Sequence, residues 1–171
     1  MVVDKIIMGL KSVLAPMAEE DLKLIKEWAS DPLVCNNYHK SLATEECFLK
    51  ELISGGNDHV KAYTIGTEDS IVIGKLIMEI EDDNTANMDI LIGEKTYVGK
   101  GYGKDALKAA IKHCFEYLNL DAVKVTMKKD NMRTEYCCWA CGLREDKTYI
   151  PGEENNHTSR MIIYKKDYTG Y

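Results

Sequence analysis

A glycine-rich turn that leads from a predicted strand into a predicted helix is the feature that most constrains this chain. Residues 85–92 alternate as a strand, and residues 107–118 carry apolar side chains at helical spacing. Glycine lets a backbone turn tightly and approach a ligand, and the first turn of a helix presents N–H groups and partial positive charge. The turn therefore predicts a phosphate-binding site, with a plain structural turn as the alternative. Its three glycines alternate with other residues: Val98, Gly99, Lys100, Gly101, Tyr102, Gly103 and Lys104.

The spacing of this turn excludes two common phosphate motifs. A P-loop needs Ser or Thr directly after Gly-Lys, whereas Gly103-Lys104 is followed by Asp105. A dinucleotide-binding turn needs G-x-G-x-x-G near the first strand of a β-α-β unit, and the turn lacks that spacing. The two lysines, Lys100 and Lys104, would instead add positive charge at the rim of a cradle made of backbone N–H groups.

Strands and helices alternate along the rest of the sequence, without internal repeats or a linker between domains. Alternating and helical apolar patterns, bounded by turn residues, identify these elements. Their order predicts one α/β domain over residues 1–171, with a mixed, mostly antiparallel sheet of about seven strands and about four flanking helices. The predicted strands cover residues 10–14, 60–66, 71–80, 85–92, 123–127, 144–150 and 157–164, and the predicted helices cover 19–29, the segment from a Thr44 N-cap to Gly55-Gly56, 107–118 and 131–140.

Composition limits the partners of the chain. Its 171 residues are 45% hydrophobic and 29% charged, which is typical of a folded domain with one core. A net charge of −6 argues against nucleic acid, because phosphate backbones demand clustered Lys and Arg; it fits cationic substrates and simple solubility about equally well. No apolar run approaches the roughly 20 residues of a membrane span, and the N-terminus lacks a signal-peptide pattern. We therefore expect a cytoplasmic protein that binds neither nucleic acid nor membrane, and a homodimer stays open.

The six cysteines are expected to be buried or half-buried free thiols. In a cytosolic chain of this length, reduced thiols are the default. Cys138-x-x-Cys141 has the spacing of half a zinc site, but zinc needs two further ligands at suitable spacing, and the four histidines are scattered singly. Free cysteine also behaves as a small hydrophobic residue. The sequence therefore predicts no metal.

The glycine-rich turn resembles the acetyl-coenzyme A loop of the GNAT N-acetyltransferase superfamily. That loop usually reads Gln or Arg, two variable residues, Gly, one variable residue, then Gly or Ala. In this chain Gly101 and Gly103 match, and Val98 replaces the Gln or Arg. The resemblance implies a GNAT fold with a splayed cleft, and it places acetyl-CoA along Ile90, Leu91 and Ile92 and against residues 98–104.

A second part of the resemblance follows the predicted helix after the turn. Asn131-x-x-Thr134, with Gly142-Leu143 eleven residues after the asparagine, is similar to a superfamily helix in which the asparagine side chain contacts the cofactor. Leu143 replaces the usual aromatic residue. Many members carry, seven residues after that asparagine, a tyrosine that protonates the leaving thiolate. That position is Cys138 here, which we expect to occupy the acid position without being essential, and Tyr136 should point elsewhere on the helix.

The stretch over residues 88–103 is similar to that of aminoglycoside 6'-N-acetyltransferases, in the group that also holds ribosomal-protein N-terminal and spermidine N-acetyltransferases. Its pattern M-D-x-x-I-G-E-x-x-Y-x-x-K-G-x-G contains an aspartate proposed as general base in those enzymes, which assigns that role to Asp89. An amine is mostly protonated at pH 7 and must lose a proton before it attacks a thioester, so a carboxylate suits this chemistry independently. The alternative is that Asp89 pairs with Lys124 or another basic side chain across the sheet. A backbone donor near Leu91 would stabilise the oxyanion.

Together these patterns predict an acetyl-CoA-dependent N-acetyltransferase that moves the acetyl group directly onto a primary amine within a ternary complex. The acceptor is a small amine, an aminoglycoside-like molecule or a polypeptide N-terminus, because members of different specificity share the pattern. The alternative is a GNAT module that binds acetyl-CoA but is catalytically impaired. The departures at Val98, Cys138 and Leu143 are the reason to keep this alternative.

Overall fold

The computed structural model describes residues 5–36, 38, 42–55 and 57–171. Within these residues, no helix is both long and apolar enough to cross a membrane. The strands are β1 (Ile7–Met8), β2 (Ser12–Pro16), β3 (Val60–Thr67), β4 (Val72–Glu81), β5 (Thr85–Ile92), β6 (Ala122–Lys128), β7 (Arg144–Glu145) and β8 (Thr158–Tyr164). The helices are α1 (Leu22–Ala29), α2 (Pro32–Cys35), α3 (Leu42–Ile53), α4 (Tyr102–Glu116) and α5 (Met132–Ala140).

The strands form one sheet in the order β1-β2-β3-β4-β5-β6-β8-β7. Every neighbouring pair is antiparallel except β5 and β6, which are parallel. The predicted α/β fold with a mixed, mostly antiparallel sheet is confirmed. The described residues contain eight strands and five helices, slightly more than predicted. The additional elements are β1, with two residues, and α2, with four, and both are too short to show a periodic pattern.

Two helix starts near the N-terminal end differ from the prediction: α1 begins at Leu22, after a 3-10 turn over Glu19–Asp21, and α3 begins before its predicted N-cap. Helix α3 begins at Leu42, so Thr44 lies inside it and not at its N-cap; Gly56 of the predicted helix stop lies outside the described residues. Helix α1 ends before Asp31-Pro32, as predicted. The Asp31 side chain then accepts a hydrogen bond from the Leu33 N–H and caps α2, so the same dipeptide both ends one helix and starts the next.

The predicted strand at residues 144–150 is much shorter in the structure. Only Arg144–Glu145 pairs with β8. The Asp146 carboxylate accepts hydrogen bonds from the N–H and the hydroxyl of Thr148, at 3.0 and 2.6 Å. This side-chain turn directs the chain away from the sheet.

Two apolar cores cover the two faces of the sheet. Helices α4 and α5 contribute to one core, and α1, α2 and α3 contribute to the other. Along β5, Met88 belongs to the α4 face and Leu91 packs against the α1–α3 face. The alternation of a strand therefore places Asp89 on the α1–α3 face, as predicted.

The six cysteines are free thiols, and their burial mostly follows the expectation. Cys114, Cys138 and Cys141 are buried, and Cys35 and Cys137 are half-buried. Cys47 is exposed, which the sequence did not predict. It lies on the outer side of α3, where no core residue covers it.

The sheet splays open where β5 and β6 separate. Residues 85–88 of β5 pair with residues 122–125 of β6, and the pairing stops there. Strand β5 continues against β4 as far as Ile92, and β6 continues against β8 as far as Lys128. The gap starts next to Asp89, so the predicted splayed cleft is present.

The start of α4 is tied to the β1–β2 hairpin by one buried carboxylate. Asp105 accepts hydrogen bonds from the N–H groups of Leu10, Lys11 and Ser12 at 3.0, 3.1 and 2.9 Å and from the Ser12 hydroxyl at 2.6 Å. A side chain at Gly9 would collide with this carboxylate. Burial raises the pKa of Asp105, but these hydrogen bonds outweigh burial and hold the pKa below its usual value.

Replacing Asp105 with Ala should lower the free energy of unfolding by about 2–3 kcal/mol at pH 7, because several buried donors lose their acceptor. A carboxyl group with a lowered folded pKa stabilises the fold above its unfolded pKa of about 3.9 and loses this effect as the pH falls toward the folded pKa. The difference between wild type and variant should therefore shrink below about pH 4. Urea unfolding at several pH values measures it. Asp82→Ala, which removes an exposed carboxylate in a turn, is the control. An equal loss of unfolding free energy in Asp82→Ala would contradict the stabilising role of Asp105.

Candidate functional site

A cavity of about 630 Å³ fills the gap where β5 leaves β6. The end of β5 forms one wall, α5 forms the opposite wall, and the glycine-rich turn and the start of α4 form the floor. Tyr38 and two residues of α2 close the side next to α1. Lys100 and Tyr102 belong to the turn but do not line the cavity. The other predicted cofactor-binding residues do line it: Ile90, Leu91, Ile92, Val98, Gly99, Gly101, Gly103, Lys104 and Asn131.

The charge of the cavity wall is opposite to that of the whole chain. Among the described residues that line the cavity, the charged ones are Lys95, Lys104 and Arg133, and none is an acid. Lys95 pairs with the Asp31 carboxylate at 2.7 Å, whereas the chain as a whole carries a net charge of −6. A cationic cavity on an acidic protein favours an anionic ligand.

The glycine-rich turn takes a backbone shape that only glycine adopts without strain. Gly99 has φ of +76° and Gly101 has φ of +85°, both in the left-handed region. Gly101 is the N-cap of α4, and no side chain caps this end of the helix. The N–H groups of the first helical turn therefore lack intrahelical acceptors and face the cavity floor. Lys11 supports the turn from outside, since its Nζ donates to the carbonyl of Lys100 at 2.6 Å.

The exposed edge of β5 presents backbone groups to the cavity. Gly93 donates its N–H to the carbonyl of Ile73, just beyond the regular pairing of β4 and β5. Because hydrogen-bonded and non-hydrogen-bonded positions alternate along an antiparallel pair, the N–H and C=O groups of Ile90 and Ile92 point away from β4. They face the gap, where β6 no longer pairs with β5. Leu91, which the sequence placed near the oxyanion donor, directs its own N–H toward β4.

The chain that leaves β5 is fixed by a tryptophan. The Trp28 Nε1 donates to the Glu94 carboxylate at 2.9 Å, and a side chain at Gly93 would collide with the Trp28 ring. Glu94 is therefore held as a structural acceptor at the entrance to the turn. This contact explains the Gly-Glu pair after the strand as a packing feature.

Asn131 begins α5 at the edge of the cavity. Its side-chain oxygen accepts a hydrogen bond from the Thr134 N–H at 3.2 Å, which makes Asn131 the N-cap of the helix. Asn131, Arg133 and Thr134 all line the cavity. The structure therefore gives Asn131 a capping role and a place beside the predicted cofactor.

Cys138 does not face the cavity. Its side chain is 0% exposed and packs in the core on the α4 face of the sheet, and burial raises the pKa of its thiol. The residues of α5 that line the cavity lie at helical spacing on one face: Arg133, Thr134, Tyr136, Cys137 and Ala140. Placing Cys138 at the acid position from a count of seven residues is therefore wrong in this structure. The expectation that Tyr136 points elsewhere is wrong for the same reason.

Cys137 is the thiol that this helix face presents to the cavity. A hydrogen bond from Cys141 lowers the pKa of Cys137, against the effect of burial, and Lys104 adds a smaller lowering effect. The pKa of Cys141 is raised in turn, by the same interaction and by burial. We therefore expect Cys137 to be more reactive than Cys141.

Asp89 lies directly behind the cavity wall in a buried polar cluster. It is 5% exposed and accepts a hydrogen bond from the Tyr38 hydroxyl at 2.7 Å. The Tyr38 hydroxyl also lies 3.2 Å from Glu45 Oε1 and accepts a hydrogen bond from Lys75 Nζ at 2.6 Å. Lys75 Nζ is 2.8 Å from Glu45 Oε2. Tyr38 lines the cavity and Asp89 does not, so Tyr38 lies between the carboxylate and the cavity.

The predicted alternative partner of Asp89 is engaged elsewhere. Lys124 Nζ contacts Glu81 at 2.5 Å and Asp83 at 3.4 Å, at the far end of β5 from the cavity. A basic side chain across the sheet does approach Asp89, but it is Lys75 of β4, through Tyr38. Sequence reasoning missed Tyr38, Glu45 and Lys75. The sequence did contain one sign of this cluster. Lys75 lies in the middle of the apolar strand pattern V-I-G-K-L-I-M, where a solvent-exposed lysine is not expected.

Comparison with known proteins agrees with this geometry. The profile of the acetyltransferase (GNAT) domain matches residues 12–144, more than half of the chain. A search of curated proteins finds no match.

Solved structures share the fold along nearly the whole chain. The acetyltransferase (GNAT family) from Bacillus anthracis has a TM-score of 0.76 at 17% identity and covers 95% of this chain and 99% of its own. The spermidine N-acetyltransferase from Vibrio cholerae, in complex with CoA and spermine, has a TM-score of 0.72 at 18% identity, covering 92% and 97%. The aminoglycoside acetyltransferase AAC(6')-Ib, in complex with coenzyme A, has a TM-score of 0.76 at 17% identity, covering 91% and 96%. Because the family profile matches the chain from β2 through the glycine-rich turn to α5, this chain belongs to the GNAT acetyltransferase family.

Proposed function

We propose that the chain is an acetyl-CoA-dependent N-acetyltransferase that transfers the acetyl group directly to a primary amine in a ternary complex, with residues 1–171 forming one acetyltransferase domain. One observation carries the proposal. The gap between β5 and β6 has uncapped helix N–H groups and cations on one side and, behind its wall on the other, a buried carboxylate. An anionic thioester and an amine that must lose a proton are suited to these two sides.

The cofactor half of the site follows from backbone groups. The first turn of α4 offers N–H donors to the pyrophosphate, and Lys104 and Arg133 add positive charge nearby. The amides of the pantetheine arm pair with the free edge of Ile90 and Ile92, as an added strand would. Because these contacts use the main chain, Val98 in place of Gln or Arg does not remove them.

The acceptor half of the site supplies the proton acceptor. Before attack, the ammonium passes one proton to the Tyr38 oxygen while the Tyr38 proton passes to Asp89, which later releases it to solvent. The nitrogen lone pair forms a bond to the carbonyl carbon of the thioester. Of the N–H groups of Ile90 and Ile92, which both point into the gap, the one that the pantetheine arm leaves free is suited to stabilise the oxyanion, whose collapse breaks the C–S bond. After attack, the nitrogen loses a second proton, which ends on the departing thiolate, so the products are the amide and the CoA thiol.

The leaving group needs little assistance in this scheme. A thiol has a pKa of about 8.5, so a thiolate departs readily near neutral pH. Cys137 and Tyr136 line the cavity on the α5 side, where the thiolate would leave. Neither is required as an acid. Leu143, which replaces the usual aromatic residue, is fully buried in the core and does not touch the cavity.

The orientation of α5 predicts which thiol reacts. N-ethylmaleimide should modify Cys137 at least about tenfold faster than Cys138, because Cys137 is half-buried with a lowered pKa and Cys138 is fully buried with a raised one. Saturating acetyl-CoA should slow labelling of Cys137 and leave the exposed Cys47 unaffected as an internal control. Peptide mass spectrometry gives each rate. Equal labelling of Cys137 and Cys138 would contradict the orientation of the helix.

A panel of amines tests the proposed reaction. Spermine bound to the Vibrio cholerae neighbour and ribostamycin bound to AAC(6')-Ib support an amine acceptor. The panel therefore contains a polyamine, an aminoglycoside and a peptide with a free N-terminus. Purified protein, acetyl-CoA and each of spermidine, kanamycin and a peptide with a free N-terminus are assayed for release of CoA thiol. We expect release with at least one class. Binding of acetyl-CoA without release for any amine would instead support a catalytically impaired cofactor-binding module.

A further inference from the structure

Among the described residues near the cleft, Lys75 is a buried charged side chain that packing does not explain. Its side chain is 0% exposed in the centre of β4, where a charged group is costly unless it is paired. It contacts Glu45 of α3 at 2.8 Å and the Tyr38 hydroxyl at 2.6 Å. A leucine at this position would serve the core better. The buried cluster of Lys75, Glu45 and Tyr38 is therefore expected to have a functional role in addition to any structural one.

We propose that Lys75 and Glu45 are positioning residues that act through the Tyr38 hydroxyl and set the proton affinity of Asp89. This inference rests on the proposed function, in which Asp89 accepts the amine proton. Three elements bring charged groups to the hydroxyl: Lys75 from β4, Glu45 from α3 and Asp89 from β5.

The hydroxyl has one proton and, among the residues that the structure describes, two carboxylate neighbours. The Lys75 ammonium is paired with the Glu45 carboxylate. The Tyr38 hydroxyl therefore donates its proton to Asp89, which lies at 2.7 Å, and not to Glu45, which lies at 3.2 Å. Burial, and then the charges of Asp89 and Glu45, raise the pKa of Tyr38 well above its usual value, so Tyr38 remains a donor at neutral pH. Lys75 therefore lowers the proton affinity of Asp89, and Glu45 raises it.

Two single substitutions should move the titration of Asp89 in opposite directions. In Lys75→Met, the cation is lost and Glu45 competes for the Tyr38 proton, so the pKa of Asp89 should rise by about one unit or more. In Glu45→Gln, an anion is lost, so the pKa should fall by a similar amount. The double variant should return close to wild type, since it removes one charge of each sign.

The measurement is a ¹³C NMR titration of the Asp89 carboxyl carbon in the cofactor-free protein, assigned with Asp89→Asn. The same shifts should appear in the acidic limb of kcat/KM against pH. Lys124→Met is the matched control, because it removes another buried sheet lysine from a pair of carboxylates far from the cavity. It should leave the Asp89 titration unchanged. In a Tyr38→Phe background, the Lys75→Met shift should fall to less than half.

The outcomes separate this inference from the proposed function. Shifts of equal sign, no shift, or a shift that survives Tyr38→Phe undiminished would overturn the positioning role. If Lys75→Met fails to fold, Glu45→Gln carries the same test, because it keeps the Lys75 cation in the cluster with Asp89 and removes a buried carboxylate instead of exposing one to an unpaired environment. The NMR titration does not depend on turnover. A protein that is inactive with every amine would therefore refute the proposed reaction, and the titration would still test the effect of Lys75 and Glu45 on Asp89.

Discussion

Replacing Asp89 with Asn should lower kcat/KM for the amine acceptor at least about tenfold near neutral pH. The substitution keeps the size of the side chain and its hydrogen bond from Tyr38, but removes the group that takes the proton. The Kd of acetyl-CoA should change less than about twofold, because the proposed cofactor contacts lie on the edge of β5 and at the start of α4. Steady-state kinetics with the best amine of the panel, and calorimetry with acetyl-CoA, measure the two quantities.

The pH profile identifies the mechanism behind that loss. In the wild type, the rate should rise with pH as Asp89 loses its proton, and this acidic limb should vanish in Asp89→Asn. Asp83→Asn is the matched control, since Asp83 also lies near a buried sheet lysine, Lys124, but at the opposite end of β5. Its rate and pH profile should match the wild type. Full activity of Asp89→Asn with an unchanged limb would move the base to another residue.

The sequence predicted most of the backbone that forms the proposed cofactor half of the site. A run of glycines between a strand and a helix has few uses, and the turn takes the left-handed backbone at Gly99 and Gly101 that its glycines permit. The alternation of β5 also placed Asp89 on the correct face of the sheet. Both inferences depend on local backbone geometry, which neighbouring letters determine.

The sequence did not predict the side chains of the proposed acceptor half around Asp89, because they come from distant segments of the chain. Tyr38, Glu45 and Lys75 come from three separate parts of the chain, and only the packing of Tyr38 and α3 over β4 brings them to Asp89. A sequence pattern gives the face of each strand, but not which side chain of another layer meets it. The lysine within an apolar strand was the sole local sign of this cluster.

The orientation of α5 was mispredicted for a different reason. A family count of seven residues from Asn131 assumes that the helix presents the same face in every member. Here Cys138 and Cys141 are buried in the core, and this burial turns Arg133, Tyr136, Cys137 and Ala140 toward the cavity. An error of one residue on a helix rotates a side chain by about 100°. Burial of the apolar face, and not motif spacing, determines the orientation.

Replacing Gly101 with Glu should raise the Kd of acetyl-CoA at least about tenfold, which corresponds to about 1.4 kcal/mol of binding free energy. The N-cap position has φ of +85°, where any Cβ is strained, and a carboxylate there would lie beside the N–H groups that face the phosphates. It would also compete for Lys11, whose Nζ lies 3.9 Å from the position of the new Cβ. Isothermal titration calorimetry with acetyl-CoA measures the change.

Gly55→Glu is the control that separates backbone strain from loss of the phosphate site. Gly55 also follows a left-handed path, with φ of +92°, but it lies after α3, and no atom approaches within 4 Å of a Cβ added there. Both variants should lose a comparable amount of thermal stability, since each forces a side chain into the same backbone region. Only Gly101→Glu should weaken acetyl-CoA binding. Wild-type affinity in Gly101→Glu would mean that the phosphates do not rest on the start of α4, whereas equal weakening in both variants would trace the effect to strain alone.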